Sequence, residues 1–256
     1  MEQKKGGFTM EGAALGVEIC LLAGKIMLQS GAETYRVEDT MIRMSNALGL
    51  HGSHSYVTPT GIVFQAGETM PAKLIRIEER TTNLHKVSAV NDISRQLSSG
   101  AVAPSEAHDL LIQIDSSRHA YPLVLQIIAA AVASGCFTLM FKGSLADFIP
   151  GVLCGGLGYI AYILLNNLIK IKFFAEFTAS FLIGSMAFLL VKIGLGVTMD
   201  KIIVGSVMPL VPGLLITNAV RDLMAGHLVS GLSRGAEAFL TAFAIGAGIA
   251  VAFSIL

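Results

Sequence analysis

The chain changes character at residues 121–141, which read YPLVLQIIAAAVASGCFTLMF and contain no charged side chain. From there to Leu256 the sequence stays almost continuously apolar, whereas residues 1–118 carry 24 of the 36 charged side chains. The apolar part divides into five stretches, each close to the ~20 residues that a helix needs to cross a hydrocarbon core of ~30 Å. We therefore predict an α-helical polytopic membrane protein, with a water-soluble head at residues 1–118 and a transmembrane domain at residues 119–256.

The five predicted transmembrane helices are joined by short loops and should form a compact bundle. They cover about residues 121–141, 148–169, 173–193, 202–220 and 237–256. Cytosolic loops of multi-span proteins carry an excess of Lys and Arg. The loops on the side of the head hold Arg118, Lys170, Lys172, Arg221 and Arg234, and the opposite loops hold Lys142, Lys192 and Lys201. This distribution predicts a cytosolic head, a cytoplasmic N-terminus and an external C-terminus.

Composition excludes several classes of function. The net charge is zero, so the sequence lacks the basic character of a nucleic-acid-binding protein. The three cysteines have no metal-ligand spacing, and no nucleotide-binding motif is present, so we predict neither a metal nor a cofactor. We accordingly do not expect this chain to drive transport with ATP.

The fourth predicted span is interrupted at its centre. Residues 202–222 read IIVGSVMPLVPGLLITNAVRD, with Pro209, Pro212 and Gly213 close together. Each proline removes a backbone N–H, so we predict a broken helix with free carbonyls near Gly205 and Met208. Secondary transporters build substrate sites from such broken helices, although a simple proline kink is the alternative.

Polar residues cluster after this break, although ionisable groups at membrane depth are costly and often mark a transport pathway. A helix beginning after Gly213 would present a positive dipole end, which suits a carboxylate. The predicted substrate pathway consists of Pro209, Pro212, Gly213, Asn218, Arg221 and Arg234. The predicted proton carriers are Glu176, Asp222 and Glu237. The alternative is that the charged residues form interfacial ion pairs that anchor a re-entry turn.

The head is predicted to be mainly helical, with a small β section. Residues Leu15, Ile19, Leu22 and Ile26 have helical spacing, and Ser30 with Glu33 has the pattern of a capping box that begins a second helix. The predicted buried face of that second helix is Val37, Met41, Met44 and Leu48. Residues 55–66 and 72–77 are predicted strands, the first of them bulged or at an edge because Thr58-Pro59-Thr60-Gly61 interrupts it. Helices are predicted at about 83–98, with Leu84, Val87, Val90, Ile93 and Leu97 inward, and at about 105–118.

Several motifs, spread over nearly the whole chain, carry a resemblance to a known family. Residues 21–38 read LLAGKIMLQSGAETYRVE, residues 58–61 read TPTG, residues 90–95 read VNDISR, and the 208–237 region contains MPLVPG, NAVRD and RGAEA. Together these motifs resemble the bacterial threonine/serine exporter family in its split form. The motif residues of the head are Ser30, Gly31, Glu33, Thr34, Arg36, Glu38, Thr58, Pro59, Thr60, Gly61, Asn91 and Arg95.

The resemblance implies a secondary carrier in the bacterial inner membrane that exports small hydrophilic metabolites, driven by the membrane potential or by protons. The chain resembles only the half with the cytosolic head, so a second small polytopic subunit is expected beside the lipid bilayer as partner. Threonine, serine and C4 dicarboxylates such as succinate remain open as substrates, all of them bearing a carboxylate. The expected protein is not an enzyme. The alternatives are a membrane-anchored enzyme with an acid/base site at Glu33, Arg36 and Glu38, or a regulatory subunit.

Overall fold

A computed structural model of the chain describes residues 10–68, 70–117, 121–169 and 171–255. Within these ranges the first four helices are α1 Met10–Gln29, α2 Thr34–Ala47, α3 Leu84–Ser98 and α4 Pro104–Ser116. The later helices are α5 Leu123–Met140, α6 Phe148–Ile169, α7 Lys172–Lys192, α8 Met199–Val207, α9 Gly213–Met224 and α10 Leu228–Ile255. The predicted domain boundary at Arg118, the loop residue Lys170 and the predicted external end at Leu256 lie outside the described residues.

The described residues form two compact units. The first contains the residues before Tyr121 together with Ile216–Gly235, and the second contains Tyr121–Leu215 and the residues from Ala236 onward. Part of the predicted fourth span and the segment after it therefore belong to the same compact unit as α1 to α4. The separation into a cytosolic head and a transmembrane domain stays a prediction.

The core of the first unit is built from the apolar faces of α1 to α4 and one face of a small sheet. The predicted inward face of α2 is confirmed, because Val37, Met41, Met44 and Leu48 are buried. In α3 the prediction holds for Val87, Val90, Ile93 and Leu97 but is wrong for Leu84, which is 53% exposed. Leu84 is the first residue of its helix and lies beyond the end of the buried face, which begins at Val87.

The sheet corrects the predicted strand at 55–66. Two antiparallel strands, β1 His54–Thr58 and β2 Gly61–Gln65, occupy this stretch, and β3 Lys73–Arg76 pairs with β2. Thr58 pairs with Gly61, so Pro59 and Thr60 form a two-residue hairpin turn instead of a bulge. The predicted edge position is confirmed for β1, which is the outer strand in the order β1-β2-β3. Proline has no N–H to donate to a neighbouring strand. Pro59 is tolerated in the turn because no hydrogen bond between strands is required there.

Five helices in the described part of the chain are long and apolar enough to cross a membrane. Four of them are segments of the predicted transmembrane domain, namely Leu123–Met140, Leu145–Ile169, Phe173–Lys192 and Leu228–Ile255. The fifth is Gly12–Gln29 in α1, which was predicted to lie in the head and is 56% buried within the protein. The last of these helices begins at Leu228, nine residues before its predicted start at 237, because no proline interrupts residues 228–236 and the helix accommodates Gly231 and Gly235.

The predicted break in the fourth span is confirmed. Helices Met199–Leu210 and Gly213–Met224 are bent by 62° and make a sixth span if the pair counts as one. The predicted free carbonyls are not found, because the N–H of Met208 donates to Gly205 O and the N–H of Val211 donates to Met208 O at 3.2 Å. A 3₁₀ turn at Met208–Leu210 provides these shorter-range bonds and so replaces the partners that the prolines remove.

Close helix packing in the second unit depends on residues without side-chain bulk. A Cβ on Gly205 of α8 would lie 2.6 Å from the backbone nitrogen of Thr138 and 2.8 Å from the carbonyl oxygen of Ser134. Both of these atoms belong to the backbone of α5, so they cannot rotate out of the way. Small residues at helix contacts are the usual means of close approach within membranes.

We expect Gly205→Ala to destabilise the protein by about 1–3 kcal/mol, because α8 must move away from α5 to admit the methyl group. Thermal unfolding is measured in detergent, and it is detected by the reaction of the buried Cys154 thiol with a labelling reagent. Gly246→Ala is the matched control, since a Cβ there meets nothing within 4 Å. Equal unfolding temperatures for the two variants would contradict the packing argument.

Candidate functional site

The turn between α1 and α2 exposes backbone carbonyls that need partners from elsewhere in the chain. Helix α1 ends at Gln29, and Gly31 adopts φ +89°, which reverses the chain before α2 begins. The carbonyls of the last residues of a helix have no intrahelical donor. Two of them are bound from the loop before α3, because Thr81 N–H donates to Gln29 O at 2.7 Å and Asn83 N–H donates to Ser30 O at 3.0 Å.

The next two carbonyls are bound by side chains of the segment Ile216–Gly235. Asn218 Nδ2 donates to Gly31 O at 2.9 Å, and Arg234 Nη2 donates to Ala32 O at 2.8 Å. Asn218 and Arg234 are both buried. Asn218 and Arg234 were predicted to line a substrate pathway. Instead they bind carbonyls of the turn between α1 and α2, which we call the motif turn.

Glu33 binds two arginines through separate oxygens. Arg221 Nη1 donates to Glu33 Oε1 at 2.5 Å, and Arg36 Nη1 donates to Glu33 Oε2 at 3.2 Å. The Glu33 side chain is 6% exposed, whereas the Arg221 and Arg36 side chains are 60% and 41% exposed. The carboxylate thus lies behind two guanidinium groups that solvent reaches.

Asp222 supplies the N-terminal cap of α2. Its carboxylate accepts hydrogen bonds from the backbone N–H of Thr34 at 2.9 Å and from the Thr34 hydroxyl at 3.0 Å. Arg234 Nε lies 3.5 Å from the same carboxylate, and both side chains are buried. The predicted capping box of Ser30 and Glu33 is wrong, because Glu33 is itself the N-cap residue and makes no side-chain cap. An aspartate 188 residues away in sequence takes that role.

Together these residues form one site, which we call the carboxylate–arginine cluster: Glu33, Arg36, Arg221, Asp222 and Arg234. Glu38 lies one turn further along α2, where its Oε1 accepts the N–H of Val57 at 2.8 Å and is 3.8 Å from His227 Nδ1. Ser230 donates to Val57 O at 3.3 Å, which joins the start of α10 to the hairpin.

Environment shifts the pKa values of the two glutamates of α2 in opposite directions. Burial raises the pKa of Glu33, but its hydrogen bonds, including that from Arg221, and the charges of Arg36 and Arg221 outweigh burial and lower it below the usual value. Burial also raises the pKa of Glu38, and there the nearby charge of Asp222 adds to the increase. The Val57 N–H and His227 oppose that increase without cancelling it.

The remaining motif residues of the head lie outside the cluster. Thr58, Pro59, Thr60 and Gly61 form the hairpin turn, in which the Thr58 hydroxyl donates to Gly61 O at 3.3 Å. Asn91 donates to Val87 O at 3.0 Å and accepts from the Thr40 hydroxyl at 3.4 Å, so it links α3 with α2. Arg95 is exposed in the last turn of α3.

The other predicted site residues lie in the second unit. Pro209 and Met208 border a cavity of about 590 Å³. Three polar side chains line it, those of Tyr121, Gln126 and Tyr159, and Tyr159 donates to Gln126 Oε1 there at 3.3 Å. The N–H of Gly213, at the start of α9, donates to Val211 O at 2.9 Å.

The second unit also contains the remaining predicted proton carriers. Glu176 is buried in α7 and accepts from the Thr241 hydroxyl of α10 at 3.3 Å. Glu237 is half-buried in α10. Both belong to the second unit, whereas Asp222 belongs to the first.

Sequence reasoning missed one buried carboxylate, that of Asp147. It accepts from the backbone N–H and hydroxyl of Ser144, from the N–H of Val197 at 2.7 Å and from the N–H and hydroxyl of Thr198. These bonds join the turn before α6 to the turn before α8. The sequence Ser144-Leu145-Ala146-Asp147 has the spacing of a capping box and could have revealed it.

The cluster combines two carboxylates with three arginines. Among the described residues no group of three or more His, Cys, Asp or Glu side chains is arranged to hold a metal ion. Helices that can cross a membrane, a broken helix beside a cavity and a buried network of opposite charges are together typical of membrane transport proteins.

Comparison with known proteins agrees with this class. Residues 18–256 match the family model described as "Putative threonine/serine exporter", and the chain belongs to this family of membrane transport proteins. The resemblance inferred from the motifs is therefore confirmed. No solved structure shows a significant match to the chain.

The relatives similar to the chain include transporter subunits of its own length and a longer exporter. The "Probable succinate transporter subunit YjjP" of Escherichia coli K12 is 26% identical, and the match covers 93% of each protein. The protein of the same description from Klebsiella aerogenes is 25% identical over 92% of each. The "Threonine/serine exporter" of Corynebacterium glutamicum is 24% identical over 88% of this chain but only 48% of its own length.

We expect Asp222→Ala to cost about 3–5 kcal/mol of stability, because it removes the carboxylate that lies beside the buried Arg234. Adding Arg234→Met should recover part of this loss, since the buried charge disappears with its partner. Thermal unfolding of the single and double variants measures the coupling. Asp39→Ala, which breaks the exposed pair of Asp39 with Arg43, is the control and should cost less than about 1 kcal/mol. Strictly additive effects of the two changes would contradict the pairing.

We expect Glu33→Gln and Glu38→Gln to have opposite effects on stability at pH 7. The lowered pKa of Glu33 contributes stability that is present above its unfolded pKa of about 4.3 and is lost as the pH falls through the folded value. The raised pKa of Glu38 contributes stability only at low pH, which is lost as the pH rises through its folded value.

Glu33→Gln should therefore lose up to about 1 kcal/mol at pH 7, a small amount because its arginine partners are exposed. Glu38→Gln should lose none or gain, because a neutral amide replaces a buried charge and still accepts from Val57. Thermal unfolding at pH 7 and at pH 4 measures both variants. A loss for Glu38→Gln as large as that for Glu33→Gln would contradict the assigned directions.

Proposed function

We propose that the chain is one subunit of a secondary exporter for small hydrophilic solutes that carry a carboxylate, driven by an ion gradient or by the membrane potential. Threonine, serine and C4 dicarboxylates such as succinate are the proposed substrates. The descriptions of its relatives name these solutes, and all of them share a carboxylate at neutral pH.

A second polytopic subunit is proposed to supply the other half of the carrier. The chain matches the succinate transporter subunit over almost all of both lengths, but it matches only about half of the threonine/serine exporter of Corynebacterium glutamicum. The unmatched half of the longer protein is the part that a partner would provide. This comparison supports the split form that the motifs resemble.

The observation that carries the proposal is the broken helix beside a cavity. The 62° break between α8 and α9 places Pro209 at a cavity of about 590 Å³, within the ~300–1,000 Å³ of small-molecule sites. Non-helical backbone at membrane depth is tolerated only where it is enclosed by protein or borders water. We infer that Pro209, Pro212 and Gly213 shape part of the solute pathway.

Among the predicted charge partners, Arg221 is the one that a solute reaches. Its side chain is 60% exposed, whereas that of Arg234 is 3% exposed. Arg234 and Asn218 donate to backbone carbonyls and so position the motif turn. We therefore assign solute contact to Arg221, and we assign a supporting role to Arg234 and Asn218.

Asp222, Glu176 and Glu237 remain the proposed proton carriers, and Glu176 is the best placed of them. It is buried in α7, and the Thr241 hydroxyl donates to its carboxylate. The proposed topology has the head and the N-terminus in the cytoplasm and the C-terminus outside the bacterial inner membrane. Arg221 and Arg234 then lie on the cytosolic side, in agreement with the positive-inside rule.

The decisive measurement is export from cells loaded with succinate, threonine or serine. Cells that lack this chain should retain the solute, and co-expression with the second subunit should restore export. Arg221→Ala should lower export about tenfold or more, and Pro212→Ala should lower it several-fold by straightening the break. Arg43→Ala is the control, because Arg43 pairs only with the exposed Asp39 at the surface of α2.

Protein amounts in the membrane must be equal for all variants. Full export by both Arg221→Ala and Pro212→Ala would remove this site assignment. Unchanged export of all three solutes after deletion of the chain, with the partner present, would contradict the transport function itself.

A further inference from the structure

Glu33 and its two arginines have the geometry of an occupied carboxylate-binding site. One carboxylate accepts from Arg221 through Oε1 and from Arg36 through Oε2, so each guanidinium binds a different oxygen. Arginine is the side chain best suited to hydrogen-bond both oxygens of a carboxylate. The occupant in the structure is a carboxylate of the protein itself.

The exposure of the three side chains shows from which side a competitor would arrive. Glu33 is 6% exposed, whereas Arg36 and Arg221 are 41% and 60% exposed. A solute carboxylate approaching from solvent therefore meets the guanidinium groups first. Both arginines have donors beyond the single one that binds Glu33, because a guanidinium carries five N–H groups.

We propose that Arg36 and Arg221 form a binding site for the carboxylate of the exported solute, and that Glu33 is an internal carboxylate that occupies this site when no solute is bound. The inference rests on the proposed function and extends it to a particular site. The solute carboxylate takes over the hydrogen bonds of the arginines, and the Glu33 side chain turns away.

The start of α2 and the turn before it are held by side chains other than Glu33, which leaves the Glu33 carboxylate available for exchange. Glu33 is the N-cap residue of α2, but its side chain makes no cap. The N-terminus of the helix is held by Asp222, through the N–H and hydroxyl of Thr34, and the preceding turn is held by Arg234 through Ala32 O. The backbone carbonyl of Glu33 keeps its own bond with the N–H of Val37 at 3.2 Å.

The test measures binding of succinate and of threonine to the purified full-length chain at pH 7, alone and with the second subunit, by equilibrium dialysis of labelled solute. Glu33→Gln keeps the size of the side chain but removes the competing charge. We expect it to bind about tenfold more tightly than wild type. Arg36→Ala and Arg221→Ala should bind about tenfold more weakly or not at all.

Controls separate this site from general effects of charge. Asp39→Asn removes a carboxylate from the same helix, one that holds only the exposed Arg43, and should leave the affinity unchanged. Succinamide, which has the same carbon skeleton without a carboxylate, should not compete. Inorganic phosphate is tested as the other common ligand of paired arginines, and tighter binding of phosphate than of either solute would overturn the assignment to carboxylates.

A tighter complex in Glu33→Gln is the result that a merely structural role cannot produce, because loss of a structural ion pair would weaken binding. Equal or weaker binding by a folded Glu33→Gln variant overturns the proposal, as does the absence of solute binding to every form. If Glu33→Gln does not fold, the proposal is tested on the wild-type protein. Succinate or threonine must then protect Arg36 and Arg221 from phenylglyoxal, read out by mass spectrometry, and no protection overturns it.

The outcomes distinguish this inference from the proposed function. If export depends on the chain but Glu33→Gln binds no better, transport stands and the solute carboxylate is bound elsewhere. If deletion of the chain leaves export unchanged, the transport function fails, whatever the binding measurements show.

Discussion

The carbonyl groups at the end of α1 are the constraint on which the functional region depends. Four consecutive carbonyls, from Gln29 to Ala32, point out of the helix end and accept hydrogen bonds from distant donors. A buried carbonyl without a donor costs about 1–3 kcal/mol, so the turn is stable only with its partners in place. Two partners come from the loop before α3 and two from the segment Ile216–Gly235. These bonds join the last part of α9 and the first turns of α10 to the motif turn, within one compact unit.

Once this turn is bound, the charges of the same segment can occupy fixed positions. Asp222 caps α2 and compensates the buried Arg234, while Arg221 extends to Glu33 at the surface of the unit. The two pairs have different consequences. Asp222 and Arg234 are both buried, so each charge needs the other, whereas the pair of Glu33 with Arg221 joins a buried carboxylate to an arginine that is 60% exposed to solvent.

Much of the fold followed from hydrophobic periodicity. The inward face of α2 and the helix α3 were predicted because burial along a helix repeats every 3.6 residues, and the long apolar helices were predicted from stretches of about 20 apolar residues. The break at Pro209 and Pro212 was predicted because proline lacks the N–H that a helix needs. The wrong predictions concern backbone groups for which several hydrogen-bond partners were available. A capping box at Ser30, a bulged strand at Thr58 and free carbonyls at Gly205 and Met208 all satisfied local rules, yet other partners satisfied the same groups.

The sequence by itself determined that the chain is a helical membrane protein with an interrupted span, and its motifs determined the family. It also identified all five residues of the carboxylate–arginine cluster as candidate site or motif residues. It did not reveal that they form one cluster, because Glu33 and Arg221 are 188 residues apart and no periodic pattern records such a pairing. Tertiary structure alone decided that Arg234 is buried and Arg221 is exposed, since that depends on how backbone carbonyls, helix ends and charges are satisfied together in three dimensions.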